Sequence, residues 1–181
     1  MDQTRRRIVE AAAHLHGTVG PAATTIVAIA ELAQVTRLTV YRHFPDEAAL
    51  FAACSAHWAS SQRLPDPGAW ARTSDPAERL RSGLADLYRF YREGSAMLAN
   101  IYRDLAVLPE AQQRILREQG ETACRILAGP FGGADRQRRR VRAAVGHAVA
   151  FWTWYSLCAE QGLSDNEAVH LMTAVVLAAA D

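Results

Sequence analysis

Arg37, Leu38, Thr39, Tyr41, Arg42 and His43 fall within one short stretch, which they furnish with guanidinium forks, a hydroxyl, a phenol, an imidazole and one apolar body. Groups of this kind suit base edges and phosphate oxygens better than bulk water. Support for bond-making chemistry is missing from the chain. The chain has no carboxylate pair at helical spacing, no HExxH, no glycine loop to cradle phosphate, and no nucleophile with a base close in sequence. Asp86, Arg103 and Asp104 read as scattered ion-pair or surface groups. No catalytic residue, metal site or cofactor is therefore expected. Cys54, Cys124 and Cys158 are far apart, odd in number and set in apolar helical patterns, so buried thiols are expected rather than a disulfide framework or metal knuckle.

The elements that must position the first six residues lie between Thr24 and Phe44, which read as two short helices joined by a turn at Gln34 and Val35. Two helices crossing steeply need fixed packing positions on either side of their turn. Ile29 and Ala33 give the first helix an apolar face, and Ala30 offers only a methyl where the second helix approaches. Val35 plugs the turn, and Val40 with Phe44 continues the stripe at i, i+4 spacing. Thr24 and Thr25 are placed to cap the first helix, and Thr36 the second. The rest of the second helix is left to face outward.

The Thr-Thr opening, the Ile-Ala pair, Val35-Thr36 and the run Thr39-Val40-Tyr41-Arg42-His43-Phe44-Pro45 resemble the DNA-binding domain of TetR/AcrR-type repressors. The resemblance is specific from about residue 5 to residue 51 and only architectural beyond. It implies double-stranded DNA as a partner, with Thr25, Thr36, Arg37, Leu38, Thr39, Tyr41, Arg42 and His43 at the interface. There are departures. Gln34 stands where the family usually has glycine, which requires a left-handed non-glycine residue or an altered turn. Leu38 replaces what is often a small residue. Glu47 stands where lysine is frequent, so Thr25, Thr36, Thr39, Tyr41 or His43 are expected to take more of the backbone positioning.

Composition bounds the rest. The 181 residues are half hydrophobic and carry a net charge of +1, so any affinity for nucleic acid must come from local placement. All 20 basic residues are arginine. No apolar run reaches membrane-spanning length and no signal peptide is seen, so a cytoplasmic location is expected. Around Thr4 to His16 a bracing helix ends at Gly17, with Arg5, Arg6 and Arg7 as either phosphate contacts or a solvated end. Asp46 caps a linking helix that carries Leu50, Phe51, Cys54 and Trp58. Residues 60–74 are rich in breakers and read as a loop with one helical turn near Trp70. Asp75-Pro76-Ala77-Glu78 is a helix start, Ser95 is expected to cap another helix, Pro109 restarts one, and GPFGG at 129–133 is a break. The fold class is all-α, with about nine helices. Residues 1–46 are expected to form a three-helix helix-turn-helix domain, and residues 47–181 a helical effector-binding and dimerisation bundle.

The last two helices are expected over Asp135 to Gln161 and Asp165 to Ala180. The first opens with Arg136, Arg138, Arg139, Arg140 and Arg142, a run that reads as a solvated face. It then becomes apolar nearly all round through Val145, Val149, Phe151, Trp152, Trp154 and Tyr155, while Leu171, Met172, Val175, Val176 and Leu177 make the last helix wide as well. Helices like these need cover on two sides. A homodimer through these two helices would supply it, and a two-fold pair of readers implies a palindromic operator. A larger monomeric core is the alternative. The family resemblance further implies a ligand pocket in the bundle, for which Tyr88, Tyr91, Met97, Tyr102, His147 and Trp152 are candidates, and a small-molecule effector of unknown identity that releases a repressor from DNA. A regulator with no small-molecule effector, or a helical enzyme, are the alternatives.

Overall fold

The computed structural model describes residues 2–181, and among these no residue lies in a strand. Among the described residues eleven α-helices follow one another: α1 Gln3–Thr18, α2 Ile26–Leu32, α3 Arg37–His43, α4 Glu47–Ser60, α5 Pro67–Arg72, α6 Pro76–Glu93, α7 Ser95–Arg103, α8 Glu110–Ala128, α9 Asp135–Ala148, α10 Phe151–Trp154 and α11 Asp165–Ala180. Short 3-10 turns occupy Pro21–Ala23 and Leu105–Val107, and a π turn runs over Tyr155–Glu160. The chain forms two compact units, one of Met1–Arg63 with Gly94–Ile115, the other of Leu64–Glu93 with Leu116–Asp181.

The first unit has a core of Ile8, Val9, Ala12, Ile29, Ala30, Ala33, Val40, Phe44, Leu50 and Cys54. Ile29, Ala30, Ala33, Val40, Phe44, Leu50 and Cys54 are apolar positions expected from the spacing, and α1 adds Ile8, Val9 and Ala12, with Leu15 only partly buried beside them. Helix α1 runs one residue past Gly17, which is helical rather than terminal, and Met97 packs beside it. Helix α7 is fastened to the end of α1 and the following loop by a polar clamp. Asn100 Nδ2 donates to the His16 carbonyl at 3.1 Å, Arg103 Nη2 donates to the Val19 carbonyl at 3.0 Å, and Asp104 Oδ2 accepts from the Ala22 N–H at 3.0 Å. Gly20 sits inside this clamp at φ 92, where a Cβ would lie 2.0 Å from Arg103. Only glycine fits.

In the second unit α6 is anchored by Asp75, whose carboxylate caps it through the Glu78 N–H, and Asp86 ties it to α5 by accepting from the Trp70 indole at 3.0 Å and the Asp66 N–H at 2.8 Å. Trp70 is buried on the short helix expected there. Ser95 does not cap α7: it is the first helical residue, and Gly94 holds the capping position without a side-chain bond.

The helix expected from Asp135 to Gln161 is not continuous. It breaks at Val149 and Ala150, where Ala150 turns to ψ 135. Two successive carbonyls at the break are taken by side chains, Ala148 by Tyr88 at 2.8 Å and Val149 by Tyr91 at 2.7 Å, while the His147 carbonyl accepts from Thr153 Oγ1 at 2.7 Å beside the Ala150 N–H at 3.1 Å. Buried carbonyls need such partners, so these hydroxyls offset the free energy lost with the helical bonds. Tyr88→Phe, at a fully buried position, is expected to lower unfolding free energy by about 1–2 kcal/mol while keeping the helix content, as checked by urea titration.

Candidate nucleic-acid interface

The turn after α2 determines where α3 points. Ala33 ends α2, and Gln34 takes the left-handed conformation at φ 54. The Gln34 N–H donates to the Glu31 carbonyl at 3.0 Å and the Val35 N–H to the Ala30 carbonyl at 2.9 Å. This pair of bonds is a Schellman motif, which normally uses glycine at the left-handed position. The turn is therefore the ordinary one, held by a residue that is sterically strained in it. Gln34→Gly is expected to raise unfolding free energy by about 0.5–1 kcal/mol without altering the helices, measurable by urea titration with circular dichroism.

From that turn Thr36 starts α3, its hydroxyl accepting from the Thr39 N–H at 3.1 Å. The Thr36 and Thr39 hydroxyls also lie 2.9 Å apart, and Arg42 Nη2 reaches Thr39 Oγ1 at 3.4 Å. Val40 and Phe44 are buried beneath, so the opposite face is fixed outward. Arg37, Leu38, Tyr41 and Arg42 are exposed there, Leu38 at 74% and Tyr41 at 53%, and Thr39 is half-buried beside them. Thr25 is exposed at the start of α2, where its hydroxyl caps the Ala28 N–H at 3.1 Å. His43 differs from the rest. It is half-buried and turned toward the Asp2 carboxylate, 3.5 Å away. Among the N-terminal arginines, Arg5 stacks over the Phe44 ring at 4.8 Å and Arg6 pairs with Glu10 at 2.7 Å.

Behind this surface lies a pair of groups that sequence did not connect. The Cys54 thiol is 3.3 Å from His16 Nδ1, and both are buried. Burial pushes the imidazole down to about 4 and the thiol up to about 12, so both are neutral at physiological pH. Spacing held no sign of the pair, because the two residues come from different helices. The clamp of Asn100, Arg103 and Asp104 was equally hidden; its one visible signal was a polar Asn100 on an apolar helical stripe.

The six residues expected to line a ligand pocket are distributed over both units. Met97 and Tyr102 are half-buried on α7 in the first. In the second, Tyr88 and Tyr91 are buried, whereas His147 is exposed and Trp152 is 47% exposed. Two surface clefts of the second unit, about 410 and 600 Å³, are lined by other residues, including Phe131 and Leu177 in one and Arg92, Trp154 and Cys158 in the other. The arginine run at the start of α9 is exposed, with Arg138 paired to Asp135. Of the cysteines, Cys54 and Cys124 are buried as expected and Cys158 is only half-buried. No group of His, Cys, Asp and Glu able to hold a metal ion occurs among the described residues, and no described helix is long and apolar enough to cross a membrane.

Residues 8–54 match the model of the family described as bacterial regulatory proteins, tetR family. That span holds α2, the turn and α3 whole. The fold of the chain is similar to that of a TetR-like transcriptional regulator from Rhodococcus sp. RHA1, with 20% identity, a TM-score of 0.69 and coverage of 96% of this chain and 93% of that one. It is also similar to the TetR family transcriptional regulator PfmR from Thermus thermophilus, with 17% identity, a TM-score of 0.64 and coverage of 95% and 97%. A third similar structure is NalD of Pseudomonas aeruginosa, the secondary repressor of the MexAB-OprM multidrug efflux pump, with 19% identity, a TM-score of 0.56 and coverage of 98% and 95%. No curated protein matches the chain.

Proposed function

We propose that this chain, a transcriptional regulator of the TetR family, acts as a repressor that binds a palindromic operator as a homodimer and leaves it when a small molecule occupies the C-terminal bundle. The observation that carries the DNA-binding part is the outward face of α3, with Arg37, Leu38, Thr39, Tyr41 and Arg42 set by a Schellman turn and a threonine cap within the span that matches the family. In a helix-turn-helix such a face enters the major groove. Thr25 and Thr36, at helix starts, suit phosphate oxygens, and His43 contributes from the far end of α3. Residues 1–46 then act as the reader and residues 47–181 as the effector and dimerisation region.

Support for the dimer comes from the second unit, where Trp152, Leu171 and Val175 remain substantially exposed on α10 and α11. Large apolar side chains left in water on an otherwise packed bundle suit a two-fold partner. For the effector, binding must favour the state released from DNA, since equal affinity for both states shifts nothing. Tyr88, Tyr91, His147 and Trp152 in the second unit, or Met97 and Tyr102 in the first, are the residues proposed to meet it. A second reading, a regulator without a small-molecule effector, is favoured by the fact that the Tyr88 and Tyr91 hydroxyls are already engaged by the Ala148 and Val149 carbonyls.

The test is selection of genomic fragments by the purified protein, read as sequence enrichment at two salt concentrations. Enrichment of a palindrome supports the reading; bulk binding that only falls with salt refutes it. Tyr41→Ala is expected to weaken binding to the enriched site about tenfold by fluorescence anisotropy, with the melting temperature unchanged. Loss of fold along with binding would place Tyr41 in the core instead.

A further inference from the structure

The outward face of α3 holds one residue that its hydrogen-bonding neighbours do not explain. Leu38, the second residue of the helix, is 74% exposed, more than any other large hydrophobic side chain in the described residues. Around it the polar groups are already organised, with Thr36 and Thr39 bonded to each other and Arg42 reaching Thr39. An isobutyl group adds nothing to that network and gains nothing from water. An apolar partner outside the chain would let it shed that water.

We propose that Leu38 is a specificity-determining residue that packs on the C5-methyl group of a thymine in each operator half-site. This rests on the DNA-binding reading above. Residues at the N-terminal end of a recognition helix are the ones that reach base edges, and Leu38 occupies that end. In the major groove guanine, cytosine and adenine present acceptors and donors, while thymine alone presents a methyl group. Leucine can bond to none of the polar groups. Set against guanine, cytosine or adenine it would strip water from them without replacement, which is unfavourable. Set against thymine it buries apolar surface on both sides. The flanking Arg37 and Arg42, both exposed, carry the positive charge that holds this part of the helix against the duplex.

The experiment uses the full-length protein and the palindrome enriched by fragment selection. Each thymine is replaced in turn, in both half-sites, by deoxyuridine, which lacks only the methyl group. Dissociation constants are measured for the native chain and for Leu38→Ala, whose fold is checked by its melting temperature and whose exposed position leaves the core intact. At one thymine per half-site the native chain is expected to lose about fourfold per half-site, or about fifteenfold for the symmetric change, the contribution of one buried methyl. Leu38→Ala is expected to be indifferent to deoxyuridine at that position and to respond like the native chain at all others. Specific binding by the native chain with no thymine whose effect depends on residue 38 overturns the Leu38 assignment and leaves the DNA-binding reading standing. Absence of any enriched site overturns both. A position sensitive to residue 38 but not to the methyl would also overturn the assignment.

Discussion

Leu171→Glu combined with Val175→Glu is expected to turn the chain into a monomer and to lower operator affinity at least about 100-fold. Both side chains are 44% exposed on α11, so the change does not enter the core, where Val169, Met172 and Val176 hold the helix down. In a two-fold interface each protomer would bring two new carboxylates to the same patch, and like charges without water or counterions repel strongly. On the proposed reading, losing the dimer would remove the second copy of α3 from the complex. Joined binding units commonly gain roughly 10² to 10⁴ in affinity over single ones, so its loss is large. Sedimentation velocity at micromolar concentration reads the assembly state, anisotropy reads the operator, and circular dichroism shows that the helices persist. A variant that stays dimeric would place the interface elsewhere, and a native chain that is monomeric would refute the dimer outright.

The second large effect is on stability against pH. His16 has a folded-state value of about 4, held down by burial, against 6.5 for the exposed side chain. In the unfolded chain it takes up a proton as pH falls through 6.5, whereas in the folded chain it resists until about 4. Stability is therefore fully present above pH 6.5, falls progressively between 6.5 and 4, and is lowest below 4. The whole change is about 3 kcal/mol. The site cannot easily adjust, because Nδ1 faces the Cys54 thiol at 3.3 Å and the ring lies 4.9 Å from that of Phe51. Urea titrations from about pH 7 to pH 4 measure the slope. A His16→Gln chain, uncharged throughout, is expected to be less stable near neutral pH but nearly flat over that window. An equal slope in both chains would assign the acid sensitivity to other groups.

The consequences for the reader helix are indirect but physical. His16 and Cys54 join α1 to α4, and the carbonyl of His16 also receives Asn100 from α7. Protonation there would loosen the frame on which α2 and α3 are mounted.

Much of this frame was legible because its determinants are local. Thr25, Thr36, Asp46 and Asp75 cap the helices they were expected to cap, and Ser164 with Glu167 forms a full capping box at the start of α11. Capping acts across three residues, so spacing alone reveals it. The stripe of Ile29, Ala30, Ala33, Val40 and Phe44 is buried for the same reason, a period fixed by the helix itself. The left-handed Gln34 is one of the two outcomes that the missing glycine left open, and the fold decided between them.

Other features were decided only when distant parts of the chain met. Nothing at Val149 or Ala150 breaks a helix by propensity, since neither is glycine or proline; Tyr88 and Tyr91 make the break tolerable from 60 and 58 residues away. The exposure of Trp152 and the burial of Phe151 and Trp154 depend on that break, which resets the helical phase. The pairing of His16 with Cys54 and the closure of Arg103 and Asp104 over Gly20 belong to the same class. Most of the helices, their caps and the outward face of α3 were thus written into neighbouring residues, because hydrogen bonding and apolar period act over a few positions. Where a helix stops without a stop signal, which polar groups share a buried site, and which apolar residues stay in water came only with folding, because each depends on satisfying backbone and side-chain groups far apart in the chain.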